Sequence, residues 1–256
     1  MLLAVDVGNT ETVLGIFRDE DLAWHWRAST VAERTPDELA LLFEGLLEHR
    51  DLSFGRNVTG VVISSVVPAA TQSMREMVRR YFHFEPLVVG PGTKTGIPVR
   101  TDNPKEVGAD RVVNALAALS RFGAPAIVVD FGTATNFDVV SPAGEYVGGA
   151  IAPGLEVSAH ALYERTARLL RVEIAAPPSV VGKNTVEAVQ SGLVFGYASL
   201  VDGMVERLSK EVGSPTVVAT GGLAALLVEH CRTVDHHEPW LTLEGLRLVY
   251  ERNAAA

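Results

Sequence analysis

One short pattern occurs twice in this chain. The apolar run Leu2–Val5 leads into Asp6-Val7-Gly8-Asn9-Thr10 and then a second apolar run, Val13–Phe17. Ala126–Val129 leads in the same way into Asp130-Phe131-Gly132-Thr133-Ala134-Thr135 and then Phe137–Val140. Aligning the two aspartates aligns the two glycines, at an offset of 124 residues in a chain of 256. Strand–turn–strand units repeated at about half the chain length, each followed by helical segments, predict two related α/β halves facing one another. A boundary near residue 120 assigns residues 1–120 to the N-terminal half and 121–256 to the C-terminal half.

The segments between the repeats fit that plan. Ala23–Arg27 alternates as a third strand. Thr35-Pro36-Asp37-Glu38 reads as a helix start, with Thr as N-cap, Pro at the first position and acids in the first turn. Behind it Leu39, Leu42, Phe43, Leu46 and Leu47 recur on one helical face. Val58–Ser64 reads as a buried strand, Pro68–Tyr81 as a helix and Leu87–Val89 as a short strand. A helix is expected to start at or soon after Asn103-Pro104-Lys105-Glu106, with Val112, Ala115, Leu116 and Leu119 as its inward stripe. In the second half, Tyr146–Ile151 reads as a strand and Leu155–Leu169 and Thr185–Leu208 as helices. The strand Thr216–Ala219 then runs through Thr220-Gly221-Gly222 into a helix over Leu223–His230, and Leu241–Arg252 closes the chain as a helix.

Composition narrows the partners. There are 22 basic against 31 acidic side chains, a net charge of −9, so no basic face is available to neutralise nucleic-acid phosphates. Cys231 is the lone cysteine, which rules out an intrachain disulfide and points to a reducing compartment. No basic stretch precedes an apolar one at the N-terminus, and the apolar runs fall short of the ~20 residues that span a bilayer. A cytoplasmic globular protein without nucleic-acid or membrane partners is expected.

The two Asp-x-Gly turns are the candidates for chemistry. Glycine at a tight turn lets backbone N–H groups approach an anion, and small hydroxyl or amide side chains add donors. An aspartate at the preceding strand end can hold a cation beside phosphate. A single Asp-x-Gly is a common hairpin turn with no ligand. Two copies in the same strand context suit a metal–triphosphate bound in a shared cleft. Thr220-Gly221-Gly222 adds a backbone that a phosphate or flat group can approach at a helix start.

Other segments carry less. His236-His237 has no ligand cluster around it and reads as a solvated loop. Gly90–Gly96 and Gly182-Lys183-Asn184-Thr185 share letters with a P-loop but lack its spacing, and no G-x-S-x-G or H-E-x-x-H occurs. Gly192, Phe195 and Gly196 fall inside a helix with small residues four apart, read either as close core packing or as a twofold contact between subunits.

The three loops, in this order, resemble the actin/sugar-kinase/Hsp70 superfamily. Seven segments in register along the chain are similar to one family within it, the type III pantothenate kinases. They are Asp6–Thr10, Asn103-Pro104, Gly108-Ala109-Asp110-Arg111, Asp130–Thr135, Gly148–Gly154, Gly182–Thr185 and Thr220–Gly222. The resemblance implies an actin-like (ribonuclease H-like) α/β fold with a nucleotide cleft between its halves. It implies ATP-dependent phosphorylation of pantothenate to 4′-phosphopantothenate, the first step of coenzyme A synthesis, by a homodimer.

By the same resemblance, Asp6, Val7, Gly8, Asn9, Thr10, Glu11, Thr12 and Val13 wrap the ATP phosphates, and Thr133 adds a contact from the other half. Asp130 takes a monovalent cation, potassium or ammonium, while magnesium arrives with ATP. Gly108, Ala109, Asp110 and Arg111 form the pantothenate segment and Thr185 adds a substrate contact. Asp110 is the proton acceptor; Arg111 faces the pantothenate carboxylate or makes a surface ion pair. One departure stands out: Thr101 lies two residues before Asn103-Pro104, where many members carry an aromatic residue, commonly Tyr. The competing readings are a non-catalytic accessory factor of transcriptional regulation with the same fold, and a kinase of another small hydroxyl substrate.

Overall fold

Both Asp-x-Gly turns close β-hairpins, and each hairpin seeds a five-stranded sheet. In the computed structural model, which describes residues 1–166 and 171–254, the first hairpin joins β1 (Leu2–Val7) to β2 (Glu11–Arg18). On the far side of β2 lies β3 (Asp21–Ser29), also antiparallel. On the other side of β1, β4 (Gly60–Ser65) pairs in parallel, and β5 (Leu87–Val88) pairs in parallel with β4, giving the order β3-β2-β1-β4-β5. The second sheet repeats the plan. The hairpin of β6 (Ala126–Phe131) and β7 (Ala134–Val140) continues to the antiparallel β8 (Tyr146–Pro153). Beyond β6 come the parallel β9 (Thr216–Thr220) and β10 (His236–His237). The order β10-β9-β6-β7-β8 is the first sheet's order read backwards.

In the first unit, alternation along the strands decides which helix covers which face. Leu3, Val5, Val7, Leu14, Ile16, Val61 and Ile63 share a core with buried side chains of α1 (Pro36–Glu48) and α3 (Pro68–Met77), with the one-turn α2 (Phe54–Asn57) alongside. Helix α1 starts as its sequence dictates: the Thr35 hydroxyl accepts from Glu38 N–H, and the Glu38 carboxylate accepts from Thr35 N–H at 2.8 Å. Helix α3 passes into a π-helical turn, Val78–Phe82, which ends at His83 in the left-handed region (φ 62°). A 3₁₀ turn over Pro104–Glu106 comes before α4 (Ala109–Phe122), so the α-helix begins five residues after Pro104. Every residue of α4 from Val112 to Ala118 is buried, which is more than the single inward stripe expected. One reason is α8 (Leu241–Ala254), whose Gly245 lies against the Val113 backbone. Gly15 and Gly60, in strands β2 and β4, leave room for Leu243 and Tyr250 of α8, and Arg247 lies over the Phe17 ring.

In the second unit, Ile127, Val129, Phe131, Phe137, Val139, Val217 and Ala219 pack against α5 (Leu155–Arg165), α6 (Thr185–Val212) and α7 (Ala224–Val228). The stretch 167–169 expected to continue α5 lies outside the described residues, and α7 is shorter at both ends than the sequence pattern implies. By length and composition α6 matches a bilayer-crossing helix, yet its buried Val189, Leu193, Val194, Val201 and Val205 belong to this core. Asp202 of α6 is buried as well. Burial alone would raise its pKa, but hydrogen bonds from Arg232 and Thr233 outweigh that and hold it below the ordinary carboxylate value. Its stabilising contribution is therefore present at neutral pH and lost as pH falls below 3.8. His236-His237 is an exposed edge strand and not a loop, with His236 stacked on Phe122.

The two units are not contiguous in sequence. The first comprises Met1–Gly96, Asn103–Ala117 and Thr242–Ala256, and the second Ile97–Asp102 and Ala118–Leu241. The sequence boundary near residue 120 falls inside α4, and the C-terminal segment returns to the first unit.

Candidate active site

In the first turn, Val7 and Thr12 are the last paired residues, so Gly8–Glu11 form the loop. It is closed by Gly8 N–H donating to the Glu11 carbonyl at 2.9 Å, and a Cβ at residue 8 would lie 3.1 Å from that oxygen. Val7 is buried in the core, and the buried Thr12 hydroxyl lies 2.9 Å from that of Thr30. Glu11 pairs with Arg27 at 2.9 Å, and Val13 stands opposite Asp6. Gly8, Asn9 and Thr10 are therefore the residues the loop presents, with the Asp6 carboxylate at the strand end. The Val7 side chain lies in the core and the Thr12 hydroxyl is engaged with that of Thr30.

The second turn is tighter. Phe131 pairs with Thr135, and Gly132 N–H donates to the Ala134 carbonyl at 3.0 Å, leaving Gly132 and Thr133 exposed at the tip. Asp130 stands in parallel register with Thr220, which brings the third loop alongside. Gly221 has φ +96°, and a Cβ there would lie 2.6 Å from Asp130 Oδ1 and 2.7 Å from the Phe131 nitrogen. Only glycine accepts both that backbone and that approach. Leu223 N–H donates to the Phe131 carbonyl at 3.3 Å, fixing the loop at the helix entry. Asp130, Gly132, Thr133 and Thr220-Gly221 thus form one cluster within the second unit.

Asp110 sits in the first turn of α4. Its Oδ1 is buried and meets no hydrogen-bond partner among the described residues. A Cβ at Gly108 would overlap that oxygen, so the glycine is what lets the carboxylate fold back over the helix start. Burial pushes the Asp110 pKa above the ordinary 3.8, against the opposing pull of the Arg111 N–H and guanidinium charge. A carboxylate with an open acceptor oxygen and a raised pKa is suited to taking a proton from an alcohol.

Thr185 stands at the start of α6, exposed beside Asn184, whose side-chain oxygen caps the helix by accepting from Glu187 N–H at 2.9 Å. An open depression of about 720 Å³ is lined there by Gly182, Lys183, Asn184, Thr185, Ser158 and Leu162 among others. Thr101 has a buried hydroxyl without a hydrogen-bond partner among the described residues, with its methyl facing Gly148. No group of three or more His, Cys, Asp or Glu side chains among the described residues could hold a metal.

One residue escapes a reading of motifs. Ser64 stands in parallel register with Asp6 just as Thr220 does with Asp130. Its hydroxyl is fully buried and has no hydrogen-bond partner among the described residues. Extending the internal repeat from the hairpins to the next strand would have paired Ser64-Ser65 with Thr220-Gly221.

Two units of one strand order, each opening on an Asp-x-Gly hairpin, define the actin-like α/β class. Solved structures agree at the level of fold. A Campylobacter jejuni protein assigned by name to the Baf family of transcriptional activators superposes with a TM-score of 0.60 at 17% identity, covering 99% of this chain and 100% of that one. (R)-2-hydroxyglutaryl-CoA dehydratase component A of Acidaminococcus fermentans gives 0.59 at 16%, covering 100% and 99%. The family model for type III pantothenate kinase matches residues 2–207. The chain is 55% identical to the type III pantothenate kinase of Streptomyces griseus over 263 aligned positions, covering 100% of this chain and 99% of the relative. It is 56% identical to that of Acidothermus cellulolyticus, covering 99% of each. The chain belongs to the type III pantothenate kinase family.

The Gly108–Asp110 contact makes a specific test possible. Gly108→Ala is expected to displace the flexible Asp110 carboxylate without disturbing the backbone. Catalytic rate should then fall at least tenfold while the thermal midpoint moves by less than about 4 °C, the shift expected for under 1 kcal/mol. An unchanged rate in a folded variant would show that the carboxylate's position does not matter.

Proposed function

We propose that the chain transfers the γ-phosphoryl group of ATP to the primary hydroxyl of pantothenate, giving ADP and 4′-phosphopantothenate, the committed entry to coenzyme A. The observation that carries this reading is the buried Asp110 carboxylate, whose Oδ1 meets no hydrogen-bond partner among the described residues, in a chain of this family. Asp110 accepts the hydroxyl proton as the new P–O bond forms and the bond to ADP breaks. Gly108, Ala109 and Arg111 hold pantothenate, with Arg111 against its carboxylate, and Thr185 adds a contact. Magnesium comes bound to ATP as part of the substrate. The N–H groups and side chains of Gly8, Asn9 and Thr10 meet the phosphates, with Asp6 beside them, and Thr133 contributes its hydroxyl.

Asp130 offers hard oxygen donors over the Gly221 backbone, and among the described residues no acidic cluster near it suits a divalent ion. That donor set fits potassium or ammonium, which would supply positive charge near the phosphates when bound. An accessory factor without turnover is disfavoured, since binding alone has no use for a carboxylate held desolvated with an open acceptor. A kinase of another small alcohol would keep the same phosphate turns and differ in its alcohol-binding residues.

A homodimer completes the reading. A Cβ at Gly192 or Gly196 on α6 would meet no other segment within 4 Å among the described residues, so close packing against those residues does not call for a glycine at either position. Apolar side chains stay exposed nearby in sequence and on neighbouring elements, among them Leu162 at 37%, Val181 at 76% and Val186 at 48%. A second copy is the occupant proposed for them.

Two measurements follow. Coupled assays with MgATP should show ADP release stimulated by pantothenate, faster in potassium or ammonium than in sodium salts. ADP release indifferent to pantothenate would sink the substrate assignment, and equal rates in all three salts would sink the cation site. Sedimentation should give a dimer that Gly196→Leu shifts toward monomer. A wild-type monomer, or a variant that remains fully dimeric, would remove α6 from the interface.

A further inference from the structure

We infer that Tyr197 is a positioning residue for the second phosphate turn, acting through the backbone of Pro153 and Gly154. This rests on the proposed reading that the Gly132-Thr133 tip meets ATP. Tyr197 projects from the middle of α6, a 28-residue helix anchored in the core of its unit. Its hydroxyl donates to the Pro153 carbonyl at 2.9 Å and lies 3.1 Å from the Gly154 carbonyl. The Ser158 hydroxyl, in the first turns of α5, hydrogen-bonds to the same oxygen. With the single phenolic proton directed at a carbonyl, Ser158 is the donor to Tyr197.

The two carbonyls belong to the segment that touches the turn. Pro153 pairs with Ala134, the residue closing the turn. Gly154 N–H donates to the Thr133 carbonyl at 3.1 Å. A Cβ at Gly154 would overlap that carbonyl and lie 2.6 Å from the Gly132 oxygen, so the two backbones are in direct contact. The chain of contacts is continuous: α6, the Tyr197 hydroxyl, Pro153-Gly154, then Gly132-Thr133. Hairpin pairing alone sets where the turn begins and ends. The Tyr197 hydroxyl adds a lateral restraint that ties its tip to a rigid helix. Donors at a charged phosphate must be held to a fraction of an ångström to be effective, so such a restraint bears on nucleotide binding more than on folding.

Tyr197→Phe removes the hydroxyl and keeps the ring. Losing one such hydrogen bond corresponds to about a two- to tenfold effect. Affinity for a non-hydrolysable MgATP analogue, read by calorimetry, should fall by that factor, and the KM for ATP should rise alike with the KM for pantothenate unchanged. Ser158→Ala should produce a smaller change of the same sign. Thr133→Ala in parallel separates the two claims. If Thr133→Ala weakens the analogue and Tyr197→Phe does not, the positioning role is overturned while the phosphate turn stands. If neither variant changes analogue affinity, both fail. Should Tyr197→Phe raise both KM values equally, or lower only the melting temperature, its hydroxyl is merely structural and the proposal falls.

Discussion

The chemistry proposed for this chain hangs from two hairpin turns, each closed by one backbone hydrogen bond: Gly8 N–H to Glu11 and Gly132 N–H to Ala134. These bonds end the antiparallel ladders just after Asp6 and Asp130, which leaves each carboxylate at a strand end beside a loop of small residues. The parallel neighbour of each first strand then sets what lies next to the aspartate, Ser64 in one sheet and Thr220 in the other. A one-residue slip of either ladder would turn the aspartate to the opposite face and bury it in the core. Register is pinned by alternation, since Val5 and Val7 on one strand and Val129 and Phe131 on the other must stay inside. Packing of ordinary apolar residues thus positions the polar ones.

How much of this was legible in the sequence follows from the range of the forces involved. The hairpins, the capped start of α1 and the repeat at 124 residues are local or periodic, and the structure keeps them. The return of α8 to the first unit is not local. It depends on Gly15, Gly60 and Gly245 making room for Leu243, Tyr250 and the Val113 backbone, and those glycines look unremarkable in a one-dimensional reading. Burial around α4 beyond the expected stripe escaped for the same reason: alanines at 117 and 118 carry little periodic signal, and the cover comes from distant segments. At the site, motif residues were readable by type, but the structure divides them. Gly8, Asn9 and Thr10 are presented, whereas Val7 and Thr12 are engaged in the core and with Thr30. Ser64 was within reach only by carrying the repeat on to the next strand, since its place depends on parallel register, and Tyr197 was invisible because its contact crosses 44 residues of sequence.

Asp110 shows most clearly what the proposed role would cost the fold. A buried carboxylate whose pKa is raised contributes favourably to stability only at low pH, and that contribution is lost as pH rises through the raised value. Above that value its charge works against the fold, and Gly108 leaves room for the carboxylate. A purely structural helix start would place a solvated Ser or Asp cap there instead. A desolvated carboxylate within an otherwise well-packed unit is what the proposed base would require.

The central claim is that this desolvated carboxylate takes the substrate proton, and a pH–rate profile tests it most directly. With pantothenate as substrate, kcat/KM should rise with pH along an acidic limb whose apparent pKa lies above 3.8. In Asp110→Asn that limb should vanish, with kcat lower by about 10²–10⁴-fold, the contribution of a placed general base. A folded Asp110→Asn protein that keeps the acidic limb and a near-normal kcat would contradict the assignment.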